Sequence, residues 1–284
     1  MRKFASAGMC CGVVLILAVV LSGCGASSQV QPQGSYLVSL QPFSDSPSQT
    51  PRWMDIANNL YAAAFRSAFV YPSNIVQLSY TTAQAPLQFG VLAPVHALKP
   101  NFCYQMKLEG PPVAWASDPQ GSDFTNWALG SNGRWWDDTD NMSLTDADLS
   151  SHVGDIIRGY LYFDFLVTAK DGSVTQTSTV NNSYHVTWKT SQRPRTGNDG
   201  PLRACSVTAR KDRWAYDRQG PAAVVKLYGE GEPGRPLPGQ LALPAGSYSG
   251  VEFRLTEESF HSSSAYGGSW RTVMAAPVPI FTVQ

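Results

Sequence analysis

Short apolar runs, each closed by glycine, proline or aspartate turn chemistry, recur along this 284-residue chain and point to an antiparallel β architecture. Such runs predict strands at 75–80, 87–92, 102–108, 159–168, 184–190, 222–228, 251–256 and 280–283. They are bounded by turns such as Lys170-Asp171-Gly172, Pro244-Ala245-Gly246 and Glu109-Gly110-Pro111. Alternation is clearest where Tyr184, Val186 and Trp188 interleave with His185, Thr187 and Lys189, and where Val251, Phe253 and Leu255 interleave with Glu252, Arg254 and Thr256. Strands of that pattern are expected to bury one face and wet the other. Many strands with few helices predict a mainly β chain, an antiparallel β-sandwich or jelly roll closed by long loops. With 24 Gly, 20 Pro and 11% aromatics, the chain reads as turn-rich and globular. Its 21 basic residues balance 21 acidic ones, which leaves no footprint for a nucleic-acid partner.

The first two dozen residues have a different character. Arg2 and Lys3 precede an apolar run, 13–21, that is too short to span a bilayer and suits a signal peptide. The run ends in Leu21-Ser22-Gly23-Cys24-Gly25, which resembles the lipobox of bacterial lipoproteins. That resemblance implies a signal peptide over 1–23, acyl chains (palmitate among them) on Cys24, and an extracytoplasmic protein held to the membrane through its N-terminal lipid. Gly25, rather than Asp, implies an outer-membrane destination in a cell with two membranes. Residues 24–49 read as a lipidated tether, being rich in Gly, Ser, Gln and Pro, with a short strand at 36–40. Residues 50–284 then form a single β-rich domain.

Cys10 and Cys11 leave with the signal peptide and Cys24 carries lipid, so Cys103 and Cys205 remain in an oxidising compartment. Two readings stand, a Cys103–Cys205 disulfide or two buried thiols. The disulfide would add about 4 to 5 kcal/mol on the chain-entropy model. At 51–70, Thr50 as cap, Pro51 in the first turn and Trp53, Ile56, Leu60 and Ala64 at helical spacing predict an N-terminal amphipathic helix covering a sheet edge.

A long loop is expected over 111–155, carrying Trp115, Trp127, Trp135 and Trp136, then Asp137, Asp138, Asp140, Asp146 and Asp148. Loops of that length are functional or hide structure of their own. Its tryptophans are candidate stacking platforms for a sugar, or lids on the core. Asp137, Asp138 and Asp140 are candidate calcium ligands, although the glycine and terminal glutamate of an EF-hand are missing. No other cofactor is indicated. A basic stretch with Arg193, Arg195, Arg203, Arg210, Arg213 and Arg218 could pair with the acidic loop or face it across a cleft.

Gly133-Arg134-Trp135-Trp136, the run 159–165, the run 183–193 and Glu257-Glu258-Ser259-Phe260-His261 resemble an uncharacterised group of secreted β-rich microbial proteins. That resemblance implies a β fold and brings no activity.

Motifs of known chemistry fail on inspection. Gly229, Gly231 and Gly234 have dinucleotide-loop spacing, but Pro233, Pro236 and Pro238 forbid the helix that must follow. His96, His152, His185 and His261 have no second ligand at metal spacing. Glu257 and Glu258, as strand neighbours, point to opposite faces and cannot flank one bond. Two functions therefore remain open: a lipid-anchored envelope protein that binds a glycan or a partner protein or serves structurally, and a polysaccharide hydrolase using carboxylates such as Asp155, Asp164 and Glu252.

Overall fold

The computed structural model describes residues 34–43, 50–81, 86–116, 123–187, 201–207, 214–217, 223–231, 234–236, 239–261 and 270–284, with backbone alone for 187, 201–207, 230–231 and 259. The described residues group as one compact unit. Cys24, the segment expected to be a signal peptide and most of the basic stretch lie outside the described residues. No described helix is long and apolar enough to cross a membrane.

The chain is mainly β and its strands pair antiparallel. One sheet runs β1 (Ser35–Ser39), β3 (Gln77–Thr81), β4 (Gln88–Ala93) and β10 (Val174–Thr179). The largest sheet runs β2 (Gln41–Pro42), β16 (Arg271–Pro277), β15 (Glu252–Glu257), β5 (Cys103–Glu109), β9 (Ile156–Val167), β7 (Arg134–Asp137) and β8 (Met142–Leu144), with β6 (Val113–Ala114) also on β9. A smaller sheet joins β11 (Tyr184–Thr187), β13 (Ala223–Gly231) and β12 (Pro201–Val207), and a ribbon joins β14 (Gly246–Tyr248) to β17 (Phe281–Val283). Leu78, Tyr80, Phe89 and Val91 of the four-stranded sheet share one buried cluster with Leu161, Phe163, Phe253 and Leu255 of the largest. The ring of Phe89 lies 5.6 Å from that of Phe163 and 5.4 Å from that of Phe253.

The helix expected over 51–70 shortens to α1 (Ala63–Ala68). Upstream, Asp55 accepts from the N–H groups of Ala57 and Asn59, both at 2.9 Å, and so folds a local turn. Asn58 adopts φ +66° and Met54 bridges to Leu60. Asp and Asn side chains offered the backbone a better local partner than the helical ladder, which overrode the apolar spacing. The long loop contains structure of its own: α2 (Phe124–Asn132), β7 and β8. Asp123 caps α2 by accepting from Thr125 N–H at 3.1 Å. Gly159 allows α2 to lie on β9, because a Cβ there would collide with the Asn126 carbonyl.

The polar face of the largest sheet is dry, contrary to the expected wet face. Lys107 is 1% exposed, Glu109 2% and Arg254 6%. These charges satisfy one another: Glu109 receives Lys107 and, at 2.6 Å, Arg254, while the Lys107 ammonium sits 4.2 Å from the Tyr160 ring centre and 4.8 Å from that of Trp270. Burial alone would raise the Glu109 carboxyl, but Lys107, Arg254 and Arg158 together hold it below its usual range.

A second buried network ties the N-terminal segment to the sheet. Glu257, fully buried, accepts from Lys99 Nζ at 2.5 Å, from Arg52 N–H at 2.8 Å and from the Tyr71 hydroxyl. Nearby, His261 stacks on Phe102 at 3.7 Å, accepts Cys103 N–H on Nε2 at 3.1 Å and faces the Met54 carbonyl with Nδ1 at 3.0 Å. That geometry fixes the neutral tautomer with the proton on Nδ1. Among the described residues no disulfide is formed: Cys103 is buried on β5, and the Cys205 side chain is outside the description.

Protonating His261 would set an N–H against an N–H, and burial pushes its pKa down to about 3. The unfolded imidazole takes its proton near pH 6.5, so this contribution to stability is complete above 6.5 and is lost as pH falls from there toward 3. The loss approaches about 1.4 kcal/mol per pH unit. Denaturant melts of the wild type and His261→Gln at pH 7, 6, 5 and 4 should show this slope in the wild type and a smaller one in the variant; parallel slopes would remove His261 as the cause.

Candidate functional site

The β7–β8 hairpin and the entry to β9 gather the acidic residues of the predicted loop, and they sort them by partner. Asp137, last residue of β7 and fully buried, accepts Thr139 N–H at 2.7 Å and Asp140 N–H at 3.1 Å, which closes the turn into β8 with Asn141 at φ +54°. Its other oxygen faces His152 Nδ1 at 2.9 Å, and the same nitrogen lies 3.0 Å from Asp155. Asp137, Asp140, His152 and Asp155 each offer a ligand atom within 4.8 Å of the others, a group that could hold a metal ion. Asp140 is exposed, and His152 and Asp155 are half-buried.

Of the expected calcium trio, Asp137 and Asp140 belong to this group and Asp138 does not. Asp138 points the other way and accepts Arg158 Nε at 2.6 Å. Asp146 takes Trp135 Nε1 at 2.7 Å and both terminal guanidinium nitrogens of Arg235 at 2.8 Å; desolvation opposes them, but these donors hold its carboxyl low. Asp148 accepts Thr145 N–H at 3.0 Å and its hydroxyl at 2.6 Å. His152 and Asp155 are the members that sequence spacing missed. The only signal was their place just before a strand, 15 and 18 residues beyond Asp137, where pairing of β7 with β9 returns the chain to the same spot.

The imidazole of His152 is the proton donor of the group. Desolvation works to lower its pKa, but the hydrogen bonds to Asp155 and Asp137 outweigh it and raise the value. One N–H therefore serves two carboxylates while Asp140 stands beside them. Carboxylate oxygens suit calcium, whereas an imidazole nitrogen added to them also suits manganese or zinc. Around this group stand three exposed apolar side chains, Met142 at 44%, Val153 at 55% and Ile156 at 38%.

The four tryptophans divide. Trp115 and Trp135 meet edge to face at 4.9 Å in a small core with Leu144, Leu149 and Ile157, and both are buried, so neither offers an open ring face. Gly130 of α2 makes room for the Trp135 ring, against which a Cβ would clash. Trp127 packs on the main core beside Phe124. Trp136 is half-buried, lies opposite Arg158 on β9 and contacts Trp270 edge to face at 5.2 Å.

The carboxylates considered for hydrolysis are not brought together as a pair. Glu252 lies opposite Glu109 and accepts Arg254 at 2.7 Å, while Asp164 lies opposite Met106 and takes Tyr184 at 3.2 Å. Glu257 faces Lys99 whereas Glu258, raised by burial, takes Thr256 at 3.3 Å. Comparison with protein-family models, curated proteins and solved structures returns no match to this chain.

A cation at the group must displace the His152 proton, so its binding should strengthen as pH rises. Calcium, manganese and zinc, titrated separately at pH 7.5, should include one that raises the melting temperature, by the equivalent of about 2.7 kcal/mol at a hundredfold excess over Kd. Asp155→Asn should abolish the rise. No shift with any of the three ions would leave the group as an internal hydrogen-bond cluster.

Proposed function

We propose that this chain is a lipid-anchored cell-envelope protein whose β-sandwich domain binds a glycan or an envelope protein at the β7–β8–β9 corner, with a divalent cation, calcium in the first instance, ordering that corner. The observation that carries this reading is one hairpin that holds the metal-competent group on the Asp137 face of β7, with Met142 exposed opposite Asp137, and the half-buried Trp136 beside the Arg158–Asp138 pair on the other face. Flat aromatic and guanidinium groups beside fixed carboxylates are what a sugar ring with its hydroxyls engages. The sandwich reading is supported by the core shared between the two larger sheets. Lipidation of Cys24 rests on the lipobox, and a Cys103–Cys205 disulfide belongs to the same proposal, since register sets Cys205 opposite Val225, a member of the buried cluster that holds Cys103. The hydrolase reading draws less support, because Asp164 and Glu252 are each engaged elsewhere.

Two outcomes are expected. In membrane fractions, wild-type chain should sediment with the membrane and Cys24→Ser should be released; unchanged tight association would remove the lipid anchor. In full-length protein held in detergent, tryptophan fluorescence titrated with cell-wall and environmental glycans in the presence of calcium should shift saturably. Trp136→Ala should weaken that binding tenfold or more while moving the melting temperature by less than Trp135→Ala does. Silence across the panel would turn the proposal toward a protein partner or a structural role, and fragments released from a glycan would turn it toward hydrolysis.

A further inference from the structure

The network around Glu257 has a composition that a simple ion pair does not require. Lys99 and Glu257 are both 0% exposed, and their charged ends meet at 2.5 Å. The ammonium is walled by aromatic rings, 4.2 Å from the centre of Trp53 and 5.1 Å from that of Phe102. The carboxylate is held at both oxygens by different donors: Oε2 by the backbone N–H of Arg52 at 2.8 Å, and Oε1 by the hydroxyl of Tyr71, itself 3.0 Å from that of Tyr104. The remaining bond of Lys99 Nζ goes to the Arg52 carbonyl at 2.5 Å.

We propose that Lys99 and Glu257 are a modification site at which the folded chain forms an intramolecular amide, joining two residues 158 positions apart. The step conserves atoms without any oxidant or second substrate. A proton passes from the ammonium to Oε1; the neutral Nζ then attacks Cδ, charge developing on Oε2 opposite the Arg52 N–H, which serves as a one-donor oxyanion site. The Cδ–Oε1 bond breaks and Oε1 leaves as water with two protons that began on Nζ, the Tyr71 hydroxyl relaying one of them. The third proton stays on the amide nitrogen. Burial supplies the conditions, since it excludes the water that would hydrolyse the bond and holds the two groups in attack range at high effective concentration. It also pushes the Lys99 amine down to about 8, which makes the neutral form accessible near neutral pH.

The second buried pair provides an internal contrast. Lys107 and Glu109 also touch, but Arg254 at 2.6 Å and Arg158 at 3.5 Å hold Glu109 as a carboxylate, a poor electrophile. That pair should stay an ion pair.

The test is peptide mapping of the full chain, purified from membranes in detergent, then reduced, alkylated and digested with trypsin. Without a bond, cleavage releases residues 67–107 and 255–271 as separate linear peptides, because Pro100 protects the Lys99 site. The expected result is a single branched species, one water lighter than their sum, replacing most of both linear peptides, and lost in Lys99→Arg. Recovery of the two linear peptides from natively folded wild type overturns the proposal. The wild-type map decides the question even where Lys99→Arg fails to fold, and a map with 67–107 linked to nothing but alkyl groups is equally decisive against it.

Discussion

A carboxylate at the end of β15 has to be buried in this fold, and the N-terminal third of the described chain is arranged to satisfy it. Glu257 draws its donors from Lys99 before β5, from the Arg52 backbone and from Tyr71 after α1, so three separated stretches are tied to one point on the largest sheet. Removing one partner from such a pair costs about 3–5 kcal/mol, because the other charge stays buried and unmatched. The tie also explains why residues 50–62 run extended and turned instead of helical. The Arg52 N–H and C=O are both spent on this network, and Asp55 is spent on Ala57, Asn59 and Tyr216. An α-helix starting at Pro51 would have needed the Arg52 C=O and the Ala57 and Asn59 N–H groups for its own ladder.

How much of this could be read from the sequence depends on which force decided each element. Where apolar alternation decided, reading succeeded: the runs at 102–108 and 251–256 are β5 and β15, and the run at 87–92 is β4. Where polar residues line a strand, it did not. β10, with the sequence VTQTST, offers no apolar stripe, yet it pairs with β4 over six residues. The alternating Lys107 and Arg254 were legible as one face of their strands, but alternation separates the two faces without saying which is wet. Here charges of opposite sign on adjacent strands neutralise one another, and aromatic rings replace water around them. No one-dimensional pattern carries that cross-strand match.

The candidate site was legible in kind and not in membership. A run dense in aspartate announced itself, but five similar carboxylates went to four different destinations, chosen by a hairpin turn, by Arg158, by Arg235 and by Thr145. The tryptophans sorted by the same logic. Trp135 packed into the core and found an acceptor for its indole N–H in Asp146 at the rim, whereas its neighbour Trp136, one residue on and therefore on the other face of β7, was left half-buried.

The contrast between buried and half-exposed acids locates where an external ligand can still bind. Glu109 meets one ammonium and two guanidinium groups, and Glu257 meets an ammonium, a peptide N–H and a phenol. Both meet opposite charge inside the fold, where no ligand from solvent reaches them. At the β7–β8–β9 corner, Asp137 and Asp155 share the Nδ1 of His152, two peptide N–H groups also reach Asp137, and Asp140 stands beside them, so oxygen acceptors outnumber donors. A carboxylate that lacks a donor must find one in water or in a cation. An external cation therefore gains most at this corner, and it gains more as His152 gives up its proton, because the same ion then replaces the donor the carboxylates have lost. Fold stability and ligand binding are in this way assigned to different acids: those that the sheet closes over, and those that the hairpin holds at its rim.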